Sequence, residues 1–208
     1  HSGGTILTQL RKLGASCDWE RTQFTMDEGL SRAVRHAFVR LYNDGLIYRG
    51  YRVVNWDPKG QTAVSDDEIE YEPIKATLYT FRYSKDFPIA ISSTRPETKV
   101  GDTAVAVHPD DDRYKKYIGK TFNVNFAKVD LSIKVVGDPF VDPSFGTGAL
   151  GVTPAHSVID SEIASRHNLQ SRQVINEYAR MTPEAGPLLV DKKTIEAREF
   201  LVSYLKEK

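Results

Sequence analysis

Residues 145–160 read Phe-Gly-Thr-Gly-Ala-Leu-Gly-Val-Thr-Pro-Ala-His-Ser-Val-Ile-Asp, a flexible turn running through a short β-branched segment towards a helix start. Gly146, Gly148 and Gly151 permit tight backbone and the close approach of a ligand. Pro154 suits the approach to a helix beginning near Ser157 and running to about Arg166, with Asn168 as its stop. Asp160 then falls in the first turn, where the positive end of the helix dipole favours the ionised carboxylate. His156 lies one helical turn before it. An ionised acid beside a loop with free N–H groups suits capture of a cation such as an α-amine. The spacing Ser157-x-x-Asp160 is also a capping-box pattern, for which helix stability is purpose enough. On these residues alone both readings stand.

A second constellation is Ile91-Ser-Ser-Thr-Arg-Pro-Glu-Thr98. The hydroxyls of Ser92, Ser93, Thr94 and Thr98 both donate and accept, so the loop can hold a ribose while Arg95 addresses a phosphate. A Ser/Thr-rich turn with no ligand is the plainer reading. Asp102 and His108 flank the apolar strand Thr103–Val107 and read as structural. Among familiar catalysts, Gly-x-Ser-x-Gly, a phosphate loop ending Gly-Lys-Ser/Thr, Gly-x-Gly-x-x-Gly and His-Glu-x-x-His do not occur. The lone Cys17 excludes an internal disulfide and a multi-cysteine metal site, and Asp57-Pro-Lys-Gly60 is a knuckle-like turn with no thiolate. The expectation is no metal and no cofactor.

These groups need a scaffold, and composition allows one: of 208 residues, 40% are hydrophobic, enough for a real core. Twenty-eight basic and 28 acidic residues cancel, so no global field announces a nucleic-acid partner, and none is excluded. No apolar run reaches the roughly 20 residues that span a bilayer, and no signal peptide is expected. With one cysteine, the cytoplasm is the expected compartment. Ile6, Leu7, Leu10 and Leu13 predict a docking helix over 5–17, ended by Gly14. Leu30, Val34, Ala37, Phe38 and Leu41 predict a second helix, from a Thr25 cap to about Asp44, packed on the first as a hairpin. Residues 46–56 have β-like content, and Gln61–Ser65 returns from the knuckle. The acidic run from Asp66 to Glu72 reads as a solvated linker, which puts a domain boundary near 72–75.

From Thr77 the hydrophobic period becomes two, and short segments near 78–83, 89–91, 105–107, 122–124, 133–136 and 149–152 predict a run of antiparallel strands in a closed or nearly closed barrel. A helical turn at 114–118 and a terminal helix over 192–207 complete the reading. The fold class is therefore α+β: residues 1–74 form a helical hairpin and β-knuckle stem, and residues 75–208 a β-barrel domain.

Six segments then fall into register. They are 9–19 (Gln-Leu-Arg-Lys-Leu-Gly-Ala-Ser-Cys-Asp-Trp), 24–27 (Phe-Thr-Met-Asp), 55–66 (Asn-Trp-Asp-Pro-Lys-Gly-Gln-Thr-Ala-Val-Ser-Asp), 93–98 (Ser-Thr-Arg-Pro-Glu-Thr), 101–111 and 145–160. In that order they resemble the valyl-tRNA synthetases, over essentially the whole chain. The resemblance implies the inserted editing domain with its flanking stem, a β-barrel that hydrolyses threonine wrongly attached to valine tRNA. It implies no ligase activity from this stretch, which has no His-Ile-Gly-His or Lys-Met-Ser-Lys-Ser signature; ATP binding would belong to a longer protein. The chemical need is a known property of this family, itself the standard example of the effect: an apolar pocket rejects an isosteric hydroxyl only about a hundredfold, so a second site must remove what the first admits.

By position, the resemblance implies that Asp160 anchors the substrate ammonium, with Thr94 and His156 as the other catalytic candidates. Ser92, Ser93 and Arg95 would hold the terminal adenosine and its ester, Phe145 would wall the pocket, and Thr153 and Ser157 would bind substrate. Water would be the nucleophile, ordered partly by the vicinal ribose hydroxyl. The chain departs from the pattern at two places: Gly151 stands where the family commonly has Lys, and Ser157 where it commonly has Asp. The expected partners are the acceptor end of tRNA(Val) carrying threonine and the synthetic core of the same polypeptide, with the chain itself a monomer and no membrane involved. A hydrolytically inactive module that binds the acceptor end, or only supports the core, is the alternative.

Overall fold

A computed structural model describes residues 2–207, with only the backbone of Ser2. The chain divides into two compact units, His1–Tyr51 and Arg52–Lys208.

In the first unit, helix α1 spans Ser2–Lys12. It is shorter than expected because Gly14 turns left-handed (φ 78°) and the Ala15 amide reaches back to the Leu10 carbonyl, closing the helix end. Helix α2 spans Glu28–Asn43. Its start falls at Asp27 rather than Thr25, because the Asp27 carboxylate accepts from the Phe24 amide at 2.9 Å and makes a turn there. The stripe Leu30, Val34, Phe38 and Leu41 is exposed, and no described residue of this unit is buried. The expected hairpin therefore has no core of its own.

The second unit opens with a hairpin of β1 (Asn55–Asp57) and β2 (Thr62–Val64), paired antiparallel around the expected turn. Residues 46–54, β-like in content, have no partner strand and stay irregular. The Trp56 indole N–H and the Gln61 amide both donate to the Glu177 carbonyl, at 2.8 and 3.0 Å, so this hairpin is tied to the later part of the chain. Asp66–Glu68 forms an exposed single turn capped by Ser65.

Strand β3 (Tyr79–Phe81) pairs antiparallel with β4 (Ile91–Ser93). A four-stranded sheet follows, built from β5 (Ala104–Val107), β6 (Thr121–Phe126), β7 (Val129–Gly137) and β8 (Ala149–Val152) in the order β6-β7-β5-β8. The expected strands are present, but they do not join into the expected closed or nearly closed barrel of antiparallel strands. The described sheets are small and open, and β5 runs parallel to β7. The ladder of β4 stops at Ser93 because Pro96 has no N–H to donate and instead opens a buried 3₁₀ helix, Pro96–Gly101.

Alternation along β7 sets the core: Val129, Leu131, Ile133 and Val135 are buried, while Asp130, Ser132 and Lys134 face out. Helix α4 (Thr194–Lys206) adds Ala197 and Leu201 to that side of the sheet. On the other side Ala104, Ala106, Val136 and Val152 pack with Ile163 of helix α3 (Val158–His167), each large apolar side chain contributing about 1.5–3 kcal/mol. The C-terminal turn of α3 is fastened by Asp138, whose buried carboxylate accepts from Arg166 at 2.9 and 3.1 Å and sits 3.1 Å from His167 Nε2. Asn168 ends α3 in the left-handed conformation, as its type allows. Among the described residues no helix is long and apolar enough to cross a membrane.

Candidate functional site

Two strand ends bring the chemistry together. Strand β4 runs into Thr94, Arg95 and the 3₁₀ helix, and β8 runs into Thr153 and the start of α3. Because β5 pairs antiparallel with β8, with Val105 opposite Gly151, the residues that precede β5 lie beside those that follow β8. The resulting cleft, about 180 Å³, is lined by Ser93, Thr94, Arg95, Thr98, Lys99, Leu150, Thr153, His156, Ser157 and Asp160.

Asp160 is buried, and its Oδ2 accepts from the Thr153 amide at 2.7 Å. The Ser157 hydroxyl accepts from the Asp160 amide at 3.2 Å, so the serine half of the capping pattern is formed. The carboxylate that would complete a capping box turns to Thr153 instead. A buried acid fixed by one backbone N–H at a helix start keeps lone pairs on its other oxygen that can receive a donor from the cleft.

On the facing loop, the Ser93 hydroxyl accepts from the Arg95 amide at 3.0 Å, and the Arg95 guanidinium donates to the His156 carbonyl at 3.2 Å across the cleft. Thr94 and Arg95 are otherwise exposed at the rim. The His156 ring is held by two backbone donors: Nε2 accepts from the Val174 and Ile175 amides at 2.9 and 3.2 Å. Its proton is therefore on Nδ1. Burial, then the charges of Arg95 and Lys99, lower its pKa to about 4, so the ring is held neutral.

Behind the cleft lies a buried polar network. Lys99 Nζ donates to Asp102 Oδ1 at 3.2 Å, to the Gly151 carbonyl at 2.6 Å and to Thr153 Oγ1 at 2.8 Å. The Thr153 hydroxyl in turn donates to Asp102 Oδ1, and the Tyr83 hydroxyl to Asp102 Oδ2. Burial raises the Asp102 pKa, opposed chiefly by the Lys99 charge; burial and then Asp102 raise that of Tyr83.

Of the residues singled out from sequence, Ser93, Thr94, Arg95, Thr153, His156, Ser157 and Asp160 share this cleft. Ser92 and Phe145 are not in its lining. Ser92 is buried beneath the loop, its hydroxyl 2.8 Å from that of Thr80, and Phe145 is exposed on the neighbouring turn. That turn packs down on Ser92, and Gly146 (φ 58°) leaves room for it: a Cβ there would lie 2.8 Å from Ser92 Cβ. Lys99 is the residue that sequence reasoning misses. A signal for it exists, since a lysine three residues before Asp102 and next to the apolar strand that follows is placed to pair with that acid if the segment is buried.

Residues 1–199 match the family model described as tRNA synthetases class I (I, L, M and V), and the chain belongs to that family. Within it the chain is similar to valine–tRNA ligases. It is 50% identical to that of Thermotoga maritima over 206 residues, covering 97% of this chain and 23% of that protein. With that of Thermus thermophilus identity is 50% over 209 residues, 99% of this chain and 24% of that protein. With that of Gluconobacter oxydans it is 54% over 202 residues, 96% and 22% respectively. The chain thus spans under a quarter of the length of these relatives. Among solved structures it is similar to the ternary complex of Agrobacterium radiobacter K84 agnB2 LeuRS with tRNA and LeuAMS, at 19% identity and a TM-score of 0.42, covering 96% of this chain and 34% of that one.

Proposed function

We propose that this chain is the editing region of a valyl-tRNA synthetase and hydrolyses the ester that joins threonine to tRNA(Val). The observation that carries this reading is the cleft itself, where the hydroxyl-bearing loop Ser93–Arg95 faces the acid Asp160 at a helix start. At about 180 Å³ it is below the roughly 300–1,000 Å³ of pockets that enclose drug-sized ligands, and suits one aminoacyl group. The terminal adenosine then lies across the rim, on Thr94 and Ser93, with Arg95 near its phosphate.

Asp160 takes the α-ammonium of the substrate and so fixes where the ester carbonyl sits. Water attacks the carbonyl carbon, the bond from that carbon to the ribose oxygen breaks, and the proton lost by water ends on the ribose oxygen. Threonine and tRNA with a free terminal hydroxyl leave. Holding the ester in one pose among fixed dipoles supplies most of the rate, so no strong protein base is needed. Thr94 and His156, both in the lining, are the side chains assigned to assist at the ester. In the longer protein, residues 1–74 join this region to the synthetic core and residues 75–208 do the editing; the chain itself is a monomer of the cytoplasm.

The test is release of threonine from threonyl-tRNA(Val) by the chain, with valyl-tRNA(Val) spared. The second reading, a module that binds the acceptor end without hydrolysis, is favoured by Ser157, whose hydroxyl already serves as a helix cap. Binding of tRNA(Val) with no release of threonine would select it.

A further inference from the structure

Ester hydrolysis as described leaves one buried cation unused. Lys99 is 4% exposed and lines the cleft, yet its three N–H donors are all spent on Asp102, the Gly151 carbonyl and Thr153. It has no proton left for a ligand. We propose that Lys99 is a positioning residue, which locks Thr153 from its side-chain end so that the Thr153 amide holds the Asp160 carboxylate in place. The assignment deepens the ester-hydrolase reading and rests on it for the identity of the ligand.

The path is continuous. The Thr153 hydroxyl accepts from Lys99 and gives its proton to Asp102, so both its directions are set. Its backbone N–H then points at Asp160 Oδ2, 2.7 Å away. Gly151 is what makes room. A Cβ there would run into the Asp102 carboxylate and lie 2.8 Å from the Tyr83 hydroxyl and 3.0 Å from Ile91 Cδ1. With no side chain at 151, Lys99 reaches the Gly151 carbonyl directly, at 2.6 Å.

Stability is a poor reason for such a pair. An ion pair this buried recovers little more than its desolvation cost, and apolar or neutral replacement of both partners is often harmless. Positioning and stability can therefore be separated. The experiment measures binding of 3′-threonylamino-3′-deoxyadenosine, a hydrolysis-resistant amide, by calorimetry. It compares the wild-type chain with the double variant Lys99→Met/Asp102→Asn, with Thr153→Val and with Thr153→Ser, folding being followed by circular dichroism. The double variant and Thr153→Val bind roughly tenfold more weakly than wild type, whereas Thr153→Ser, which keeps the hydroxyl, binds at least about threefold more tightly than Thr153→Val.

Wild-type affinity in a folded double variant, or in Thr153→Val, overturns the assignment. If the double variant does not fold, the Thr153→Val and Thr153→Ser pair decides by itself. A wild-type chain that binds the amide but releases no threonine from threonyl-tRNA(Val) refutes hydrolysis while the variants still decide the role of Lys99. A wild-type chain that does not bind the amide refutes both.

Discussion

The Thr153 amide donates to Asp160 Oδ2 at 2.7 Å, so the residue that follows β8 holds the acid in the first turn of α3. Strand end and helix start are thereby one rigid corner, and the cleft depends on what braces it from either side.

One brace comes from α4. Arg198 grips Glu97 with two hydrogen bonds, at 2.9 and 2.7 Å, and the Glu97 side chain is buried within the 3₁₀ helix that follows the Ser93–Arg95 loop. Arg198→Ala leaves that carboxylate without its counter-charge and is expected to cost about 3 kcal/mol in urea unfolding, the lower end for a broken buried pair because Arg198 is partly exposed. Glu97→Gln/Arg198→Met recovers most of the loss. A single variant as stable as wild type contradicts this brace.

A second brace is His156, which ties the cleft to residues 174 and 175 through its neutral Nε2. Its pKa is lowered from 6.5 to about 4 in the fold, so the folded chain binds this proton less readily than the unfolded one. The contribution is whole above about pH 6.5 and is lost as pH falls from there towards 4, on the order of 3 kcal/mol in all. Urea unfolding across that window should show a steeper fall for wild type than for His156→Gln. Equal slopes contradict the account.

Gly151 is expected to resist even alanine. The added methyl meets Asp102 and Tyr83, which cannot both move without breaking their hydrogen bond, and the cost is about 1–3 kcal/mol by thermal unfolding. A neutral Gly151→Ala would show that the network yields easily.

Limited proteolysis should separate the two units. No described residue of 3–51 is buried, whereas residues 79–207 contain the core. Cleavage is expected within the first unit and in residues 46–54, leaving a resistant fragment that begins before Tyr79. Protection of the first unit in the isolated chain would contradict this.

Much of the fold is legible in residue order, and the exceptions have physical causes. Helix α3 is readable from Ser157 to Asn168 because cap, first-turn acid and stop residue are local features. The strands are readable where β-branched residues cluster between turn signals, as at Ile133–Val136 of β7. Barrel closure is not: it depends on which edges pair over long range, and periodicity is silent about that. The parallel pairing of β5 with β7 is hidden for the same reason. The shared cleft is foreseen from the family resemblance, because composition alone leaves Ser157-x-x-Asp160 as a cap. Lys99 is hard to read since its partners Gly151 and Thr153 lie some fifty residues away in sequence.

The most direct measurement is deacylation of threonyl-tRNA(Val) by the wild-type chain and by Asp160→Ala at equal concentration. The account predicts threonine release by the wild type and a fall of at least about a hundredfold in the variant, as expected when the group that fixes the substrate ammonium is removed. An unchanged rate in Asp160→Ala would contradict it.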